Sequence, residues 1–137
     1  MNASANIEVK ARIVVVDDES SIARFVGRLL ELHGFEVDIF VDSRNALEHF
    51  RLASERLDSA APSILITDQT MPDVSGVELV EQVRVLLPGL PVILFTGYSE
   101  SVSEEHVLSW GNSAYLCKPV DPKTLVSTVN GLLPAAL

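Results

Sequence analysis

The sequence predicts an α/β fold, a single domain in which helices cover both faces of a parallel β-sheet. The chain has 137 residues, 47% of them hydrophobic, which is enough to bury a core in one domain. Five short apolar runs rich in Val and Ile alternate with stretches that carry apolar residues at helical spacing. Strands that are apolar throughout are typical of a parallel sheet buried on both faces.

The predicted strands are short and regularly spaced. The second of them alternates apolar and polar residues, which indicates a strand with one exposed side, so we place it at an edge of the sheet. Right-handed crossovers then favour the strand order 2-1-3-4-5, the flavodoxin-like doubly wound arrangement. The predicted strands cover residues 13–16, 35–40, 64–66, 91–95 and 114–117.

The predicted helices have recognisable ends. Gly34 ends the first helix, and Ser75 with Glu78 forms a capping box that opens the third. Asp121 is the expected N-cap of the last helix, with Pro122 at its first position. The fourth helix has the weakest pattern. The predicted helices cover residues 22–30, 43–54, 75–87, 101–110 and 121–133.

Composition limits the classes of function. The formal net charge is −9, and lysine occurs only at positions 10, 118 and 123, which argues against direct nucleic-acid binding. No apolar run reaches the roughly 18 residues of a membrane span, and no secretory signal is recognisable, so we expect a cytoplasmic protein without membrane insertion. Cys117, the single cysteine, is expected to be a small buried hydrophobic residue in the fifth strand.

Four predicted strands carry polar residues at their carboxyl ends. These ends lie along one side of the sheet, which we call the acidic edge. Asp17 and Asp18 follow strand 1, Asp68 follows strand 3, Thr96 strand 4 and Lys118 strand 5. Crowded carboxylates repel one another, and one lysine leaves a net charge of about −2, which a divalent cation would balance. Oxygen ligands favour Mg²⁺, Mn²⁺ or Ca²⁺ over zinc. A carboxylate nucleophile, a metal, a cation and a hydroxyl together suit phosphoryl transfer.

Four motifs of the chain resemble those of receiver domains in two-component response regulators. The resemblance covers about residues 11–133, with 1–10 as an N-terminal extension and 134–137 as a C-terminal tail. The motifs are Val-Asp-Asp-Glu at 16–19, Ile-Thr-Asp-Gln-Thr-Met-Pro at 66–72 with Gly76, Phe-Thr-Gly at 95–97, and Tyr-Leu-Cys-Lys-Pro at 115–119.

The resemblance implies a role for each residue of the acidic edge. Asp68 would accept a phosphoryl group from the phosphohistidine of a histidine kinase or a histidine phosphotransfer protein. Asp17, Asp18, Asp68 and the backbone carbonyl of Thr70 would bind Mg²⁺, with Mn²⁺ as an alternative. Lys118 would pair with Asp68 at rest and with the phosphoryl oxygens after phosphorylation.

The resemblance also implies a conformational switch. Thr96 would turn its hydroxyl toward the new phosphate, and Tyr115 would move inward, changing a partner surface made by helix 4, strand 5 and helix 5. The peptide bond between Lys118 and Pro119 would be cis. Such a domain is a signalling switch, and its chemistry is limited to its own phosphorylation and dephosphorylation.

Thr70 and Tyr98 occupy positions that influence the attacking water in this family, and we expect them to tune dephosphorylation. Residues 94–100 resemble the receivers of hybrid histidine kinases, so relay of phosphate within a hybrid kinase is one alternative. A degenerate receiver that only binds proteins is a second. A haloacid-dehalogenase-type phosphatase is disfavoured, because that family requires Asp-x-Asp after strand 1, whereas Asp17 and Asp18 are adjacent.

Overall fold

Five strands alternate with five helices in the computed structural model, which describes residues 11–56, 61–97 and 102–134. This alternation confirms the predicted α/β class. The elements are β1 Arg12–Val16, α1 Ser20–Leu32, β2 Glu36–Phe40, α2 Ser43–Ser54, β3 Ile64–Asp68, α3 Gly76–Leu86, β4 Val92–Thr96, α4 Glu104–Leu108, β5 Ser113–Cys117 and α5 Pro122–Leu132.

The five strands form one parallel sheet in the order β2-β1-β3-β4-β5, as predicted. β3 and β4 are buried along their whole length, whereas the amphipathic β2 is partly exposed at its edge. Val16 of β1 lies opposite Thr67 of β3 in the register. The residues that follow them, Asp17 and Asp68, therefore leave the sheet side by side, at the point where the strand order reverses.

Each face of the sheet has its own hydrophobic core. On one face the strands pack against α1 and α5, through side chains such as Val26 and Leu125. On the other face they pack against α2 and α3, through side chains such as Phe50 and Val80. Full burial of one such side chain contributes about 1.5–3 kcal/mol, so the two cores together hold the strand ends in place.

The helix caps expected from the sequence are present. Ser75 and Glu78 form the reciprocal capping box of α3. The Asp121 side chain accepts the Thr124 N–H at the start of α5. Gly34 has a φ of +92° just after α1, in the left-handed region that glycine adopts most readily. No helix in the described ranges combines the length and hydropathy needed to cross a bilayer.

Two expectations about the second half of the chain need correction. The fourth helix is shorter than predicted, because the Ser103 side chain caps it by accepting the His106 N–H and because Ser109 and Trp110 form a turn. Cys117 was expected to be buried but is exposed, because it is the last residue of β5, the second edge strand. Trp110 is partly buried against the core on the α2–α3 face.

Candidate functional site

Three carboxylates meet at the carboxyl ends of β1 and β3. One oxygen atom of each of Asp17, Asp18 and Asp68 lies within 4.8 Å of the others. Asp17 and Asp68 are only 2% and 3% exposed, whereas Asp18 lies at the surface. The cluster therefore has two buried members and one member that is exposed to solvent.

Lys118 bridges the two buried carboxylates from the end of β5. Its Nζ lies 3.2 Å from Oδ2 of Asp17 and 3.1 Å from Oδ1 of Asp68. The Lys118 backbone N–H donates to the carbonyl of Thr96 at 2.8 Å, which fixes the chain as it leaves the sheet. The following bond to Pro119 is cis, as the resemblance implies.

The electrostatics of the cluster favour a cation. Burial raises the pKa of Asp17, and the Glu19 N–H at 2.9 Å and the charge of Lys118 only partly oppose this effect. Burial would lower the pKa of Lys118, but its hydrogen bond to Asp68 and the charges of both buried carboxylates raise it overall. The site therefore favours the charged form of Lys118, while the ionised form of Asp17 is less favourable than it would be in water.

The donor set suits a hard divalent cation. The three groups that approach one another are all carboxylates, and none of His33, His49 and His106 belongs to that cluster. Oxygen-only ligation with one side left for water and phosphate oxygens fits Mg²⁺ better than zinc, which favours nitrogen and sulfur ligands. The residues present therefore fit the metal that the sequence implies.

Thr96 and Tyr115 lie on the two neighbouring strands beyond β3. Thr96 ends β4 and is fully buried, and its Oγ1 has no hydrogen-bond partner among the described residues. The Tyr115 hydroxyl on β5 donates to the carbonyl of Val102, just before α4, at 3.2 Å. The structure thus places Thr96 next to the acidic edge, and it links Tyr115 to the start of α4.

The loop from β3 to α3 carries Thr70, whose side chain is exposed. Gly76 makes this loop tight, because a Cβ atom there would lie 2.9 Å from Cα of Gln69 and still closer to the Asp68 carbonyl oxygen. Gln69 also hydrogen-bonds α3 through its side chain, a contact that the sequence did not signal. Tyr98 lies outside the described residues.

The fold and the acidic edge define a doubly wound α/β domain with a carboxylate–lysine site at its switch point. The family model described as "Response regulator receiver domain" matches residues 13–130. The chain belongs to this family, whose members are signalling domains of two-component systems.

Relatives and solved structures agree with this family. The transcriptional regulatory protein CreB of Escherichia coli is 34% identical over 119 residues, which cover 87% of this chain and 49% of CreB. An uncharacterised 14.6 kDa protein of Leptolyngbya boryana is 34% identical over 85% of this chain and 86% of its own length. The chain thus spans about half the length of CreB but most of the second relative.

Among solved structures, a response regulator receiver domain protein from Clostridium thermocellum has a similar fold. The two structures superpose with a TM-score of 0.78 at 30% sequence identity, covering 89% of this chain and 93% of the other. The similarity therefore extends over nearly the entire five-stranded sheet and its helices.

Proposed function

We propose that this chain is a phosphorylation-dependent signalling switch in which Asp68 is the phosphoacceptor. The observation that carries the proposal is the pairing of the buried Asp68 carboxylate with Lys118, 3.1 Å away, in a cluster with two further carboxylates. A histidine kinase or a histidine phosphotransfer protein would be the donor. The proposed receiver unit is 11–133, flanked by 1–10 and 134–137.

The proposed transfer is an in-line displacement at phosphorus. One Asp68 oxygen forms a new P–O bond while the P–N bond to the donor imidazole breaks, and its electron pair returns to the imidazole nitrogen. Lys118 is close enough to Asp68 to contact the oxygens of the transferred group. Its positive charge would stabilise the negative charge that these oxygens carry in the transition state.

Asp17, Asp18, Asp68 and the backbone carbonyl of Thr70 would hold Mg²⁺, or Mn²⁺ as an alternative. When bound, the ion supplies positive charge next to the phosphoryl oxygens and offsets the repulsion between the carboxylates. The raised pKa of Asp17, which burial causes, supports this assignment, because an added cation would stabilise the ionised form.

We propose that Thr96 and Tyr115 convert phosphorylation into a change of shape. The unpartnered Thr96 hydroxyl could donate to the phosphoryl group without losing a hydrogen bond within the described part of the chain. Tyr115 would then exchange its bond to the Val102 carbonyl for an inward position. The surface of α4, β5 and α5 would change as a result and bind a downstream protein in the cytoplasm.

Thr70 and Tyr98 are proposed to tune the lifetime of the acyl phosphate. The bulky Tyr98 ring would screen the phosphoryl group from attacking water. Tyr98→Ala should therefore accelerate dephosphorylation, measured as the decay of phosphoprotein after the donor is removed. An unchanged decay rate would show that Tyr98 does not influence dephosphorylation.

Incubation with acetyl phosphate and Mg²⁺ tests the proposed function and separates it from its rivals. We expect the mass of one phosphoryl group to appear at Asp68 and to be absent from Asp68→Asn. Turnover of an external phosphoester would instead indicate a phosphatase, and the absence of any modification a degenerate receiver. A relay role in a hybrid kinase would show as transfer from Asp68 to a histidine phosphotransfer protein.

A further inference from the structure

Gln69, the residue after the proposed phosphoacceptor, connects three parts of the fold. Its backbone N–H donates to the Phe95 carbonyl of β4 at 3.1 Å. Its backbone carbonyl accepts the Gly76 N–H at 2.9 Å, and its side-chain Oε1 accepts the Val77 N–H at 2.8 Å. A single residue therefore ties the end of β3 both to β4 and to the start of α3.

These bonds supply acceptors for N–H groups at the N-terminus of α3. The first four N–H groups of a helix have no partner within the helix. The capping box satisfies those of Ser75 and Glu78, and Gln69 satisfies those of Gly76 and Val77. The Val77 bond depends on the side chain at position 69, whereas the Gly76 bond would form with any residue there.

The loop that Gln69 closes, residues 69–76, carries Thr70, whose carbonyl is a proposed metal ligand. We propose that Gln69 is a positioning residue for the acidic site, because its side-chain bond to Val77 fixes this loop and thereby strengthens Mg²⁺ binding. This inference rests on the proposed function, since Mg²⁺ and the Thr70 carbonyl belong to it. Gln69 itself is not proposed to contact the metal or the phosphoryl group.

The start of α3 packs closely against the end of β3 at Gly76. The Gly76 backbone lies directly against the carbonyl of Asp68 and Cα of Gln69, leaving no room for a side chain. We expect loss of the Val77 bond to loosen the contact between α3 and the end of β3, where only the backbone bond from Gly76 to Gln69 would remain. The groups that orient metal ligands typically account for about 10- to 100-fold in metal affinity.

The test is a Mg²⁺ titration of the whole chain by calorimetry, with Gln69→Met as the main variant and Ser75→Ala as the matched control. Methionine keeps the length of the side chain but removes the strong acceptor. Ser75→Ala removes the hydroxyl that accepts the Glu78 N–H at the same helix terminus and leaves the Gln69 bonds intact. Thermal unfolding of both variants is measured in parallel.

We expect Gln69→Met to weaken Mg²⁺ binding about tenfold and to speed hydrogen exchange of the Val77 amide in metal-free protein. Ser75→Ala should lower the melting temperature comparably but leave Mg²⁺ affinity unchanged. Gln69→Glu, which keeps an acceptor oxygen, should protect the Val77 amide as in the wild type, and it provides the test if Gln69→Met does not fold.

Three results would overturn the inference. Equal Mg²⁺ affinity of Gln69→Met and the wild type would show that the side chain does not act on the site. Equal weakening of Mg²⁺ binding by Ser75→Ala would show that Gln69 acts only by capping the helix. Fast Val77 exchange in Gln69→Glu would show that the acceptor oxygen is not what holds the loop. Failure of the wild type itself to take up Mg²⁺ would instead contradict the proposed function, on which the inference rests.

Discussion

At the scale of single residues, Asp17 and Asp68 are both buried and share one ammonium group. Lys118 lies within 3.2 Å of an oxygen of each carboxylate, so one positive charge serves two negative ones. The exposed Asp18 adds a third negative charge close by. We expect such a cluster to be less stable without a cation than with one, because like charges at this distance repel one another.

Asp68→Asn is expected to abolish phosphorylation and to leave the fold intact or slightly more stable. The substitution removes one of the crowded charges, while Lys118 keeps Asp17 as its partner. We expect the melting temperature of the metal-free protein to stay the same or rise by no more than about 3 °C, which corresponds to roughly 1 kcal/mol for a domain of this size. Differential scanning calorimetry with mass spectrometry measures both effects. A large drop in melting temperature would show that repulsion among the carboxylates does not destabilise the fold.

Asp17→Asn is expected to show a pH-dependent gain in stability. Burial raises the pKa of Asp17 above its unfolded value, so the folded protein binds the proton more tightly than the unfolded chain. Ionised Asp17 therefore costs stability at neutral pH, and this cost disappears as the pH falls through the folded pKa. The stability gap between Asp17→Asn and the wild type should shrink on acidification of metal-free protein, measured by urea unfolding. A gap that widens toward acidic pH would contradict this sign.

At the scale of secondary structure elements, Arg84 attaches α3 to the turn between α4 and β5. Its guanidinium group donates to the backbone carbonyls of Leu90, Trp110, Gly111 and Asn112 at 2.5–3.2 Å. These carbonyls belong to segments before β4 and before β5. Arg84 therefore holds in place one end of the surface that we propose to respond to phosphorylation.

Arg84→Lys should destabilise the protein by about 1.5–3 kcal/mol, because one ammonium nitrogen cannot replace the three guanidinium nitrogens that donate to these carbonyls. Urea unfolding measures the change. Arg28→Lys on the exposed face of α1 is the matched control and should alter stability by less than about 0.5 kcal/mol. Similar small effects of both substitutions would show that the Arg84 bonds contribute little.

The elements differed in how well the sequence predicted them. The caps at Ser75 and Asp121 were predictable, because a capping side chain acts on a backbone N–H only a few residues away. The Ser103 cap that shortens α4 and the exposure of Cys117 were missed, although the cap is local and the predicted strand order already placed β5 at an edge. Arg84 reaches carbonyls up to 28 residues away, and no local pattern encodes such a contact.

At the scale of the whole molecule, the strand order was predictable from periodicity and the handedness of crossovers. That order brings the ends of β1 and β3 together, so it also predicted which carboxylates would meet. The Gln69 side-chain bond was not predictable, because glutamine in a loop has no preferred partner. It depends on the position of α3, which the core on that face of the sheet sets.

Calorimetric titration of the purified chain with Mg²⁺ measures whether the three carboxylates share one metal ion. If Asp17, Asp18 and Asp68 form one metal site, the wild type should bind one ion per chain, and Asp17→Asn should bind it much more weakly. The Arg28→Lys variant leaves all three carboxylates in place and serves as the control. Its Mg²⁺ affinity should match that of the wild type. Absence of Mg²⁺ uptake by the wild type, or equal uptake by Asp17→Asn, would show that these carboxylates do not form a shared metal site.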